Sequence, residues 1–135
     1  MIIYKNGFIK LEFEPATDIL SFEMPTVDSV LMPEMKRSLH IIVEHARNYD
    51  VKKILLDARN TDIGVEENDY GTIIAEFYRG LAVTRVERVA RIVNPASRRE
   101  TIVNKILDTV TYTMEVQRFT DVPSAYAWLK EHRQL

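Results

Sequence analysis

Lys53-Ile54-Leu55-Leu56-Asp57 is a short unbroken apolar run, the pattern of a strand covered on both faces. Arg88-Val89-Ala90-Arg91-Ile92-Val93 repeats the pattern, although its two arginines suggest that part of that strand reaches water. Between them Tyr70, Ile73, Ile74, Phe77, Tyr78 and Leu81 share one helical stripe. A helix between two buried strands is a crossover, so the strands are expected to run parallel with right-handed connections. Upstream, Leu31, Met35, Leu39, Ile42, Ala46 and Tyr49 recur every three or four residues. Pro33 would break a hydrogen bond deep inside that helix, which places its start near residues 30–33. Downstream, Asn94-Pro95 predicts a helix start, with Asn as N-cap and Pro at the first helical position. Ile102, Val103, Ile106, Leu107 and Val110 would form the buried face of that helix. Met114-Glu115-Val116-Gln117-Arg118-Phe119 returns to alternation, as an edge strand does. Thr120 or Asp121 then caps a last helix whose Ala125, Trp128, Leu129 and His132 share a face.

The first 25 residues read as a small antiparallel unit. Asn6-Gly7, the pair that best tolerates a type I′ turn, lies between Ile2-Ile3-Tyr4 and Phe8-Ile9-Lys10-Leu11-Glu12-Phe13. Apolar Phe8, Leu11 and Phe13 mixed with Lys10, Glu12 and Glu14 predict one wet face. Pro15-Ala16-Thr17 turns the chain into a third strand with Leu20, Phe22 and Met24 alternating. The sequence therefore predicts an α/β fold: one mixed sheet of five or six strands, with an antiparallel N-terminal hairpin and a parallel core, carrying four helices. Ile54, Leu55, Leu56, Ile92 and Val93 should lie buried at its centre, and residues 1–135 are read as a single domain.

The composition excludes several classes of function. There is no cysteine, hence no disulfide framework, Cys-based zinc site or thiol nucleophile. Eighteen Lys+Arg against twenty Asp+Glu give a net charge of -2, which argues against a nucleic-acid binder. No apolar run approaches the ~20 residues of a membrane span, and the N-terminus lacks a signal peptide's apolar stretch. A cytoplasmic location is expected.

The order of elements and the local wording resemble the STAS domains, the anti-sigma-factor-antagonist fold, and in particular their SpoIIAA-like branch, which is grouped with CRAL/TRIO lipid-binding domains. The residues that carry the resemblance are Lys53-Ile54-Leu55-Leu56-Asp57-Ala58-Arg59, the helix over residues 70–83, the run from Arg88 to Val93, and Phe119-Thr120-Asp121 with Ala125-Tyr126-Ala127-Trp128-Leu129. The resemblance implies a bacterial regulatory domain. Its antagonists are switched by phosphorylation of a serine at the start of the helix after the third conserved strand. The counterpart here is Asn68-Asp69-Tyr70-Gly71, which offers Asp69 and Tyr70 where the family has hydroxyl residues. No phosphoserine switch is expected at this position. Asp69 is either a partial mimic of phosphate charge or an ordinary solvated acid near a helix N-terminus.

In a partly parallel sheet the ligand-prone place is the crevice beyond the strands' carboxyl ends. Arg59 and Asn60, then Asn94, Ser97, Arg98 and Arg99, and lastly Thr120 and Asp121, should gather there. Helix-start N–H groups, a hydroxyl and two arginines in one turn suit a phosphate or carboxylate. The alternative is a plain capped helix with solvated arginines. Asp57 and Arg59 form either a structural salt bridge or an acid–base couple. An acidic stretch (Asp57, Asp62, Glu66, Glu67, Asp69) precedes a basic one (Arg79, Arg85, Arg88, Arg91, Arg98, Arg99), forming either opposite patches or solvated faces.

His40 and His45 are five apart, which does not stack them for a metal, while Glu44 can pair with His40 at the surface. Arg59 and Asn60 spoil a calcium loop after Asp57. The glycines stand alone at 7, 64, 71 and 80, so nucleotide fingerprints and the Gly-x-Ser-x-Gly elbow are missing. No catalytic residue, metal or cofactor is assigned. The expected function is a non-enzymatic regulatory or scaffold domain that binds another protein. The alternative is a carrier or sensor of a small apolar (lipid-like) or anionic ligand, with aromatics such as Tyr70, Phe77, Tyr78, Tyr112, Phe119, Tyr126 and Trp128 lining a cavity instead of filling the core. A homodimer is left open.

Overall fold

A computed structural model describes residues 1–28, 30–61, 63–64 and 66–131. His132 and Asp62 lie outside the described residues. The chain runs β1 (Ile2–Lys5), β2 (Lys10–Glu14), β3 (Ile19–Glu23), β4 (Val27–Asp28), α1 (Met32–Asn48), β5 (Lys53–Asp57), β6 (Ile63–Gly64), α2 (Glu67–Ala82), β7 (Arg88–Ile92), α3 (Arg98–Leu107), β8 (Glu115–Phe119) and α4 (Val122–Lys130). Six strands form one sheet in the order β1-β2-β3-β5-β7-β8. β1 to β3 pair antiparallel and β3, β5, β7 and β8 parallel. This is the mixed sheet with four helices that the periodicities predict. A two-stranded parallel pair, β4 with β6, joins the loops after β3 and β5 and has no sequence pattern long enough to announce it.

Alternation sorts the helices onto two faces. Leu11, Phe13, Leu20, Phe22, Ile54, Leu56 and Val89 point to one face and pack with α1, α2 and α3 in the main core. Ile19, Leu55, Ala90 and Ile92 point to the other, where α4 covers them with Ala125 and Leu129. Ile54, Leu55, Leu56, Ile92 and Val93 are all buried, as expected. So are the six residues of the α2 stripe, Tyr70 included. Phe77 meets Tyr78 edge-on at 5.4 Å, and Tyr78 lies 6.4 Å from Tyr112, so these aromatics fill core. Glycines set the helix spacing: a Cβ at Gly80 would lie 3.2 Å from Val43 of α1, and one at Gly71 would lie 2.7 Å from Ile106 of α3.

Four local expectations need correcting. No described glycine has a positive φ, so Asn6-Gly7 is not a type I′ turn. Instead the Asn6 side-chain oxygen accepts from the N–H of Phe8 (2.7 Å) and of Ile9 (2.9 Å), and Asn6 N–H donates to the Ile9 carbonyl, making a longer loop. The positive φ falls on Asp18 (61°), at the next turn. Asn94-Pro95 does not start α3: Asn94 Oδ1 accepts from Ala96 N–H in a turn, and the N-cap is Ser97, whose hydroxyl accepts from Glu100 N–H at 3.1 Å. Arg88 and Arg91 do not reach water but are 7% and 1% exposed. Finally, Tyr49 ends the α1 stripe half-exposed rather than buried. Asp121 caps α4, and β8 is an edge strand, as read from the sequence.

Candidate functional site

The sheet order decides what kind of site is available. From β3 to β8 every parallel strand is laid down on the same side of its predecessor, so α1, α2 and α3 all cross one face. Strand order never reverses, and the crevice of a doubly wound sheet opens only where it does. The loops beyond the carboxyl ends of β3, β5, β7 and β8 therefore line separate depressions. Asn60 lines a 230 Å³ depression with Glu23, Asp57 and Thr61. Pro95, Arg118, Thr120, Asp121 and Ser124 line another of 440 Å³.

The six expected crevice residues separate accordingly. Arg59 is held by Asp57: its Nη2 donates to Oδ2 at 2.7 Å, its Nε to Oδ1 at 3.0 Å, and its backbone N–H to Oδ1 at 3.1 Å. Partial burial raises the Asp57 pKa, but these bonds outweigh it and the carboxyl lies below its ordinary range. Arg59 also feels Glu23 and Asp121, so the charge around it is acidic where the sequence suggested a basic pocket. Asp121 spends a carboxylate oxygen on the N–H of Ser124, the main cause of its lowered pKa. Asn94 and Ser97 are committed to their own turn and cap. Arg98 is exposed.

Arg99 departs furthest from expectation. It is 3% exposed and turned inward, its Nε donating to the Tyr70 hydroxyl at 2.7 Å. Tyr70 is thereby fixed inside the core at the α2 start, and burial raises its pKa against the pull of Arg99 and Arg91. Asp69 beside it is exposed. Arg91, from the same sheet face as Val89, donates through Nη2 to Glu100 Oε1, and Arg118 Nη1 reaches Glu100 Oε2 at 3.3 Å. The buried Nε of Arg91 has no hydrogen-bond partner among the described residues. The predicted basic stretch thus loses three arginines to the interior: Arg91, Arg99, and Arg88, which stacks 4.9 Å from the Trp128 ring and donates to its carbonyl.

An open groove of about 460 Å³ was not foreseen. A six-stranded sheet spans about 24 Å across its strands, whereas one helix covers about 10 Å. With α4 seated on β5, β7 and β8 and reaching only Ile19 of β3 and Glu14 of β2 at one end, the rest of that face of β2 and β3 stays open. Lys10, Glu12, Ser21 and Glu23 stand there beside Leu55, Asp57 and Ile92. Phe8 and Val122, each 37% exposed, form the apolar rims. The signal in the sequence was the wet alternation of two adjoining strands with only one helix left to cover them.

Among the described residues no group of three His, Asp or Glu side chains is placed to hold a metal. His40 and Glu44 make a 3.2 Å surface contact, as the spacing suggested. No described helix is long and apolar enough to cross a membrane.

Among solved structures, the crystal structure of an anti-sigma factor antagonist from Mycobacterium paratuberculosis superimposes with a TM-score of 0.56 over 91% of this chain and 95% of that one. The chain has the STAS, or anti-sigma-factor-antagonist, fold. At 15% identity the likeness is one of fold. No protein-family model matches the chain, and no curated protein matches it either. Of the two residues that the sequence resemblance set against the family's switch serine, Asp69 is exposed and Tyr70 is buried against Arg99.

Proposed function

We propose that this chain is a regulatory domain that acts by binding another protein, catalyses no reaction, and lacks a phosphoserine switch. The observation that carries the reading is the Tyr70–Arg99 contact: the side chain that the resemblance sets at the switch position is held in the core instead of being offered to a kinase. Two further observations support it. The polar groups beyond the strand ends are committed to local structure, in the Asp57–Arg59 pair, the Asn94 turn and the Ser97 and Asp121 caps. And a solved protein that shares the fold is an anti-sigma factor antagonist.

The test is to isolate the native protein from its cells after mild cross-linking and to weigh the intact complex and its components by mass spectrometry. A stoichiometric second protein, with no phosphate on residues 68–72, is the expected result. A co-purified lipid or anion with no protein partner would favour the small-ligand alternative. Phosphate on exposed Thr72 would remove the claim about the switch.

A further inference from the structure

We infer that the groove over β2 and β3 receives an extended segment of the partner in which basic and apolar side chains adjoin, the basic one meeting Glu23. This rests on the protein-binding reading and names the surface and the chemistry of the partner.

The charges point to a cation. Three carboxylates, Glu12, Glu23 and Asp57, line the groove against one lysine, Lys10. Lys10 is paired with Glu12 at 3.1 Å, and Asp57 with Arg59 at 2.7 Å. The Glu23 side chain is exposed and makes no hydrogen bond or ion pair among the described residues, and together with Asp121 it adds to the negative field at Arg59. An exposed acid here is cheap while water solvates it, and it becomes a specific donor-seeking group when a partner excludes that water.

The shape selects a segment of chain over a small molecule. At about 460 Å³ the groove has a small-ligand volume. Yet it lies open across the sheet, and it continues past Phe8, Glu23 and Asp57 into the depression that holds Asn60. Its floor interleaves Lys10, Glu12, Ser21, Glu23 and Asp57 with Leu55 and Ile92, which suits a segment of mixed polarity better than an acyl chain. Phe8 and Val122 on opposite rims offer apolar contact on either side of the acids. β3 is flanked by β2 and β5, so the segment lies on the face and adds no strand.

The test titrates the full ¹⁵N-labelled chain with a short peptide alternating lysine and leucine, and separately with its glutamate-for-lysine counterpart. The lysine peptide alone should shift the amides of Phe8, Lys10, Ser21, Glu23, Leu55 and Val122. Glu12→Gln with Glu23→Gln should weaken its binding about tenfold and leave the fold intact, since both side chains are exposed. Equal response to both peptides, shifts confined to other surfaces, or unchanged affinity in the double variant would overturn the inference. In cells, a photo-cross-linking phenylalanine is placed at position 8 or, on the opposite face, at position 40. A protein captured from position 8, and lost in the double variant, supports the groove. A protein captured only from position 40, or a second copy of this chain captured from position 8, overturns the groove but leaves the protein-binding reading standing. Capture from neither position overturns the groove, and the protein-binding reading then falls if the intact complex also holds no second protein.

Discussion

Replacing Glu100 by glutamine tests the polar cluster beneath α3. Arg91 and Glu100 are each 1% exposed, and Glu100 also accepts from Arg118. Glutamine keeps the volume and a carbonyl acceptor but removes the buried carboxylate that faces Arg91, and it leaves Arg99 in the same interior beside a neutral hydroxyl. Leaving one member of a buried pair uncompensated costs about 3–5 kcal/mol, and the retained acceptor should hold Glu100→Gln near 3 kcal/mol. Folded domains have only about 5–15 kcal/mol in total, so this is a large fraction. For a chain of this size it amounts to roughly a 10–15 °C drop in Tm. Urea unfolding followed by circular dichroism should show the midpoint fall with an unchanged slope. The companion variant, Arg91→Met with Glu100→Leu, removes both charges and should return to within about 1 kcal/mol of the parent, because apolar packing replaces a pair that was costly to desolvate. A loss below about 1 kcal/mol for Glu100→Gln, or a double variant no better than the single one, would refute the reasoning.

The two neighbouring arginines should behave oppositely. Arg98→Ala should change stability by less than about 0.5 kcal/mol, whereas Arg99→Ala leaves the buried Tyr70 hydroxyl without its partner and should cost about 1–3 kcal/mol, both read by the same urea titration. Tyr70 and Tyr78 have pKa values raised chiefly by burial, so the folded state keeps two protons that the unfolded chain gives up above about pH 10. Stability should therefore fall as pH rises beyond 10, and ultraviolet titration should show these two of the six tyrosines ionising only on unfolding. Asp57 titrates below its ordinary 3.8, so its contribution is present above that value and lost as pH falls through the lower folded pKa. Arg59→Ala should move the Asp57 carboxyl upward in a carbon-13 pH titration, and an unmoved value would mean that the ion pair does not form in solution.

Where apolar periodicity was continuous, the sequence was legible. The run from Ile54 to Leu56 and the α2 stripe each had one physical solution, and the parallel direction of the strands followed from the crossovers. What stayed hidden was polar. Arg91 reads as a surface residue until its alternation with Val89 is taken literally, which aims it at the helices. Its partner was present as Ser97-x-x-Glu100, the spacing of a capping box, and would have moved the α3 start from Asn94 to Ser97. Glu100 completes only half of that box, since its side chain goes to Arg91. Arg99 next to Arg98 gave no sign of which would turn inward, because that depends on Tyr70, twenty-nine residues away. The expected crevice failed for a topological reason: spacing says that strands are parallel, but not on which side each new one is added.

The placement of α4 has a consequence for how the protein is made. Ile19, Leu55, Ala90 and Ile92 belong to strands finished by residue 92, yet their cover, Ala125 and Leu129, is translated last among the described elements. At about 5–20 residues per second, the roughly 40 residues between β7 and the end of α4 take about 2–8 s to synthesise. Until α4 has been made and has docked, the sheet face that bears these four residues has no helix over it, whatever the state of the main core. That waiting face, more than any slow step in the main core, is where a holding chaperone would find this protein.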